Sequence, residues 1–370
     1  MRFFRRIAHV TVTLSAAIML IAASPAQQER EIETIAGTGA RGLEDGCILY
    51  SRFSMPRGLL VNEDGTLTIF DTYNNAIRIT SEEGTQVLVE REEYFDSFGL
   101  PQGFLIDGDL HNARLNRPTG GVHNADGYLF IADSANHVIR VIRDNRIYTF
   151  AGRQQPGHTN GAHDVAQFNT PSAIAIDDNG NLFVADTLNN TIRRITPSGR
   201  VSTVAGVAGI AGYRNGTARQ ALFNAPSGIA VSADGTVIYV ADTGNHTIRK
   251  IEGGNVTTFA GTIYGFDDNN EPIGGFQNGS AAYAMFNLPR GITIFDDYLI
   301  VADSGNHMIR AISTAGLVFT IAGNGEPGDF DGSATGSVLN SPSDISILGN
   351  TLYIADTGNN KIKSIALDID

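Results

Sequence analysis

The sequence predicts an all-β chain of six repeated antiparallel units, closed into a six-bladed propeller, and three observations predict it. First, a ten-residue phrase returns six times: FDTYNNAIRI from Phe70, IADSANHVIR from Ile131, VADTLNNTIR from Val184, VADTGNHTIR from Val240, VADSGNHMIR from Val301 and IADTGNNKIK from Ile354. Its aspartates (Asp71, Asp133, Asp186, Asp242, Asp303, Asp356) lie 62, 53, 56, 61 and 53 residues apart, self-similarity of the kind that marks a repeat architecture. Second, an Asp-Gly or Asn-Gly pair stands eleven residues before a proline in every unit: Asp45 to Pro56, Asp107 to Pro118, Asn160 to Pro171, Asn215 to Pro226, Asn278 to Pro289 and Asp331 to Pro342. Third, the last unit stops after its third strand, whereas an orphan strand precedes the first.

One unit shows why each element forms. Gly228 to Val231 is a short apolar run closed by the turn signal Ser232-Ala233-Asp234-Gly235. Val237 to Ala241 is a second run, ending at the turn Asp242-Thr243-Gly244-Asn245. His246 to Ile251 alternates, with Ile248 and Ile251 available for burial and Arg249 and Lys250 polar. Gly253-Gly254-Asn255 turns the chain, and Val256 to Ala260 is a fourth strand. Four antiparallel strands joined by tight turns make one propeller blade. A lone sheet of this kind would leave both apolar faces wet, so six pack face to face around an axis.

Closure follows from the ends. The last unit runs out after its third strand near Lys363 to Leu367, while Glu31 to Gly37 (EIETIAG) matches fourth strands such as STVAG from Ser202 and FTIAG from Phe319. The N-terminal segment is therefore expected to complete blade six and remove an edge that would invite aggregation.

These phrases resemble the NHL repeat, whose units read like FNAPSGIAV from Phe223 followed by YVADTGNHTIRKI from Tyr239. The resemblance covers Ile32 to about Leu367. It implies the six-bladed fold. It leaves function open, because NHL propellers include protein scaffolds, RNA-binding modules, an amidating lyase and exported proteins.

The first residues read as an export signal. Arg2, Arg5 and Arg6 precede an apolar stretch from Ile7 to Ala23, and Ser24-Pro25-Ala26 offers a cleavage site after Ala26. Thr11, Thr13 and Ser15 dilute the stretch and argue against the rival reading of an uncleaved anchor. The expected organisation is a signal peptide over 1–26 and a propeller over 27–370, secreted or periplasmic, without stable membrane insertion after cleavage, and monomeric. The single Cys47 cannot form an internal disulfide, so the domain relies on its core. Without the three leader arginines, 23 basic residues face 39 acidic ones. That surface repels phosphate backbones and excludes nucleic acid as a partner.

The chain order puts the tight turns (Asp64-Gly65, Asp234-Gly235, Ser198-Gly199) on one face, and the Asp-Thr-x-Asn turns with the long fourth-to-first connections on the other. Long loops on a rigid scaffold carry function, so the second face is the expected binding face. The six repeated aspartates recur in every blade beside turn formers whose side chains bond local backbone, and are expected to serve the fold. So are Arg78, Arg140, Arg193, Arg249, Arg310 and Lys363, seven residues further on. His137, His246 and His307 share a position with Asn75, Asn190 and Asn360, a polar turn position rather than a zinc set.

Hydrolases of the gluconolactonase-like kind draw several metal ligands to the axis. Here the first strands offer only Asp344 and His123, in different rows, too few for a hydrolytic metal centre. No nucleophile elbow, Cys-x-x-Cys pair or phosphate loop is present. Two irregular connections mix aromatics with acids: 81–109, with Tyr94 and Asp96, and 262–278, with Tyr264, Asp267, Asp268 and Glu271. With Asp344 these are the candidate ligand-binding residues; no catalytic or metal residues are assigned. The reading is a binding scaffold for a protein or small-molecule ligand, without a cofactor. Its alternative is a metal-dependent lactonase or lyase of the gluconolactonase-like kind, in which calcium or zinc would sit with Asp344 and loop acids.

Overall fold

In every repeat the apolar residues pair as their alternation requires. In blade three, Pro171–Ile176 pairs with Leu182–Asp186, then Thr191–Ile195, then Val201–Ala205, all antiparallel, with Val184 opposite both Ile174 and Arg193. The computed structural model, which describes residues 30–89, 95, 97, 99 and 101–369, holds six such sheets around an axis. The expected leader, 1–26, lies outside the described residues. Among the described residues no helix is long and apolar enough to cross a membrane.

Blades two, four, five and six gain a short fifth strand from the long connections: Gly108–Asp109, Gly216–Thr217, Gly279–Ser280 and Gly332–Ser333. Each covers an outer edge that four strands would leave open. Each begins at the glycine of an Asp-Gly or Asn-Gly pair, and those glycines have φ between 119° and 147°. A side chain would be strained there, which accounts for the glycine in the phrase.

Blade six closes as the chain ends require. Glu31–Ala36 lies against Lys361–Ala366, with Ile32 opposite Ile365 and Thr34 opposite Lys363. Asp331 fastens the same strand, accepting from the Thr34 amide at 2.9 Å and its hydroxyl at 3.1 Å. The apolar core lies between blades. Blade six contributes Ala36, Ala355 and Ile362 and blade one contributes Phe53, Leu59 and Ile69 to one such layer. Phe183 and Ala185 of blade three pack likewise on Ile238 and Val240 of blade four.

The repeated phrase encodes a buried ion-pair lock. In blade four, Asp242 Oδ1 accepts the Asn224 amide at 2.8 Å, while Oδ2 accepts Asn245 Nδ2 at 2.8 Å and Arg249 Nη1 at 2.6 Å. Arg249 also donates to the carbonyls of Leu222 and Arg214 and to Asn215 Oδ1, the Asn of the Asn-Gly pair. Asp107, Asn160 and Asn278 meet Arg140, Arg193 and Arg310 in the same way at 2.6–2.8 Å, and Asp45 meets Arg78. The constant spacing from that pair to the proline is thus the reach of one guanidinium, whose planar fork satisfies several acceptors at once. Arg78, Arg193, Arg249 and Arg310 also lie 5.0–5.3 Å over Phe53, Phe168, Phe223 and Phe286. Blade six departs: Lys363 takes the arginine's place and reaches Asp329, Asp331 and Asp356 at 3.0, 2.9 and 3.6 Å.

Candidate functional site: the axial channel and its loop face

The face bearing the Asp-Thr-x-Asn turns is held by two contacts repeated at every blade boundary. The turn hydroxyl donates to the carbonyl of the next blade's proline: Thr72 to Pro118, Ser134 to Pro171, Thr187 to Pro226, Thr243 to Pro289, Ser304 to Pro342 and Thr357 to Pro56, all at 2.5–2.8 Å. Local backbone bonding was the expectation for these hydroxyls. Their bonds to carbonyls in their own blade do form, at 3.2–3.5 Å where present, but are the longer ones. The aspartates and hydroxyls are therefore fully engaged by the fold, six times over.

The second contact explains why His and Asn share a position. Each turn ends on a left-handed residue, with φ of 53–61°, whose side chain accepts the amide of the next blade's pre-proline residue. Asn75, Asn190 and Asn360 use Oδ1 at 2.7–2.8 Å; His137, His246 and His307 use Nδ1 at 2.9–3.1 Å. The pre-proline residues (Met55, Arg117, Thr170, Ala225, Leu288, Ser341) themselves hold φ near +50°, a conformation that persists only where the surroundings enforce it.

A histidine can accept at Nδ1 only while that nitrogen is unprotonated, and burial pushes all three below the usual 6.5. The unfolded chain then binds protons first as pH falls. Their contribution is complete above pH 6.5 and lost as pH drops through the lower folded values. Replacing all three by Asn keeps the acceptor and removes the titration. The triple variant should lose less stability than the wild type between pH 7 and 5 in matched urea unfolding; equal losses would contradict this role. The comparison cancels the carboxylates common to both chains.

Along the axis runs a cavity of about 340 Å³ lined by the six first strands. Gly120, Gly228 and Gly291 line it at the inner positions, and a Cβ on Gly228 would fall 1.8 Å from the Arg290 carbonyl, so glycine permits the close approach of neighbouring blades. At the loop-face entrance stands a ring formed by the residue after each proline: Arg57, Thr119, Ser172, Ser227, Arg290 and Ser343. Four are hydroxyls, three of them tied to the ring and one to a turn. Thr119 donates to the Ser172 carbonyl, Ser172 to that of Ser227 and Ser343 to that of Arg57, at 2.8–3.1 Å, while Ser227 meets the turn hydroxyl of Thr243 at 2.5 Å. The other two are arginines. Burial, and then the charge of Arg57, push Arg290 down to about 10.

Asp344 lies one residue further into the channel, where its Oδ2 accepts the Leu59 amide of blade one at 2.9 Å. Burial pushes its carboxyl up to about 7, against the pull of that amide. Ser346, two residues on, accepts the Val61 amide at 3.0 Å. Both side chains thus tie blade six to blade one, besides facing the channel.

The other candidate residues fall elsewhere. Tyr264, Asp267, Asp268 and Glu271 lie on an exposed excursion whose Gly265–Phe266 and Pro272–Ile273 strands pair. Asp267 Oδ1 caps its turn, accepting the amides of Glu271 at 2.8 Å and Asn269 at 2.9 Å, which hold the carboxyl below its usual range. Glu271 accepts from Asn224 at 3.3 Å. None of these side chains lines the channel that holds Asp344. Tyr94 and Asp96 lie outside the described residues. Among the described residues, no three His, Cys, Asp or Glu side chains converge in a metal-binding cluster. What sequence reasoning missed is the arginine pair. The alternation of the first strands begins at Gly58 and its equivalents, one residue past the position where Arg57 and Arg290 break the pattern of hydroxyls.

Six blades, a fold-committed repeat and an axial channel define a six-bladed propeller of the NHL kind. A family model described as "Teneurin NHL domain" matches residues 24–252, and the chain belongs to that family. Among curated relatives it is 30% identical to Protein SUPPRESSOR OF QUENCHING 1, chloroplastic, of Arabidopsis thaliana, over 71% of this chain and 26% of that protein. It is 29% identical to human NHL repeat-containing protein 2, over 64% of this chain and 36% of the other. The chain thus spans about a quarter to a third of the length of these relatives.

Solved structures share the fold. One is an auxiliary nutrient binding protein from Bacteroides thetaiotaomicron, with a TM-score of 0.67 and 14% identity, covering 91% of this chain and 76% of that one. Another is a gluconolactonase from Xanthomonas campestris, with a TM-score of 0.54 and 15% identity, covering 86% and 88%.

Proposed function

We propose that this chain is an exported binding scaffold whose recognition surface is the loop face and channel entrance of the propeller. The observation that carries the reading is where symmetry breaks. Every repeated aspartate, arginine and turn hydroxyl is spent on the lock and on the blade-to-blade contacts, whereas the channel entrance and the 262–278 excursion differ from blade to blade. Residues that the fold requires repeat, and residues that meet a partner need not. The names of the relatives fit this reading without fixing a ligand.

A second reading has one observation in its favour: Asp344 is a buried carboxyl in the channel, in a fold that a gluconolactonase shares. Against it, Asp344 is the one carboxylate among the lining residues, and one of its oxygens is already held by Leu59. Metal analysis of the purified chain, with melting in the presence and absence of a chelator, separates the two. The binding reading expects an unmoved melting temperature and no turnover of lactones or esters. Stoichiometric calcium or zinc, with a melting temperature that falls on chelation, would replace it with the hydrolase.

A further inference from the structure

We infer that the channel entrance is an oxyanion site that takes one carboxylate or phosphate group of a small solute between Arg57 and Arg290, a deepening of the binding reading above. The argument begins with what these arginines lack. Among the described residues neither side chain makes a hydrogen bond or an ion pair, although the chain carries 39 acidic residues against 26 basic ones. By contrast, the five arginines of the repeated lock are each held by a carboxylate and by backbone carbonyls. A third guanidinium is close by: Arg57 and Arg117 lie 5.6 and 5.2 Å over the same ring of Tyr73. Arg117 likewise has no carboxylate partner among the described residues.

The fold does not ask for these charges. At the four equivalent positions a Ser or Thr hydroxyl is hydrogen-bonded, three within the ring and Ser227 to the turn hydroxyl of Thr243, so an arginine there gives up a structural bond. Blades one and five flank blade six, so the two arginines occupy the ring positions on either side of Ser343 at the channel entrance. Gathering like charges at a half-buried entrance is unfavourable until an anion sits between them. Guanidinium is also the side chain whose planar donors match carboxylate and phosphate oxygens in pairs. The cavity, at about 340 Å³, suits a small solute rather than a macromolecule. Asp344, the one carboxyl lining it, lies a residue deeper and makes no ion pair with either arginine.

The test is calorimetric titration of the whole chain with inorganic phosphate and with succinate, in chloride at matched ionic strength. The expected result is saturable binding of at least one probe, with a dissociation constant on the order of 1 mM or tighter. R57Q and R290Q should each weaken it about tenfold or more and should not lower the melting temperature in chloride. D344N keeps an acceptor for Leu59 and removes a neighbouring negative charge, so it should tighten binding. Preference for phosphate or for succinate identifies which group the entrance reads. A readout without variants is phenylglyoxal modification followed by mass spectrometry: the probe that binds should protect Arg57 and Arg290 and leave the exposed Arg200 unprotected.

No saturable signal from either probe, or equal binding by wild type and both glutamine variants, overturns the site while leaving a scaffold that works through its loop face. Turnover of a lactone or ester overturns the binding reading while leaving the oxyanion site.

Discussion

Replacement of Arg249 by Met is expected to destabilise the chain by about 3–5 kcal/mol, a large part of the stability of an ordinary domain. Arg249 and Asp242 are both fully buried, and the pair bonds at 2.6 Å. Without the guanidinium, Asp242 keeps two donors, the amides of Asn224 and Asn245, but loses its countercharge. The carbonyls of Leu222 and Arg214 lose a donor as well. Such a cost comes mainly from the charge left behind rather than from the net worth of the pair. Arg249→Lys should be milder, since blade six runs its lock on Lys363, although an ammonium cannot reproduce the fork. Urea unfolding of both variants measures this. A Met variant within about 1 kcal/mol of wild type would mean that the lock is dispensable.

Removal of the chain up to Gly37 should cost about 5 kcal/mol or more. The segment buries Ile32 and Ala36, a few kcal/mol of apolar burial. It also supplies the ladder to Lys361–Ala366 and the two Thr34 bonds to Asp331, each hydrogen bond worth about 1 kcal/mol net. The strand left behind would be a bare edge with alternate apolar residues, a template for pairing with another molecule. The truncated chain should therefore unfold at lower urea and elute as oligomers, and a synthetic peptide covering 27–40 should restore the monomer. A truncated chain that stays monomeric and unfolds at the wild-type midpoint would show that blade six stands without its fourth strand.

Much of the architecture was legible because it is periodic. The orphan strand at Glu31 could be matched to blade six by its likeness to STVAG and FTIAG, and the structure pairs it there. The Asp-Gly and Asn-Gly pairs were visible as a spacing, yet their reason was not. It lies in a guanidinium 32–34 residues away that donates to the Asp or Asn side chain, a contact across the blade that local propensity cannot show. The same holds for the turn hydroxyls. Their short-range partners were foreseeable, but their better partners belong to the next blade, where only the ring brings them.

The candidate site was legible only in part. Asp344 stood out as a charge in an apolar row, and the structure places it in the channel. The acidic excursion read as a ligand surface, whereas Asp267 is engaged in shaping its own turn. Arg57 and Arg290 sit at the strand boundary, just outside the alternation that defines a row, and so escaped a comparison built on alternation.

The pairing of Ile32 with Ile365 also sets an order in time. The two residues stand at opposite ends of the propeller sequence, so the ring has no finished form until its last strand is available. Blades one to five can each assemble from nearby residues, but the layer between blades six and one waits for the end of synthesis. Contacts of such long range are slow to form and leave apolar faces open meanwhile. Until the whole chain has been made, the propeller therefore stays open between blades six and one.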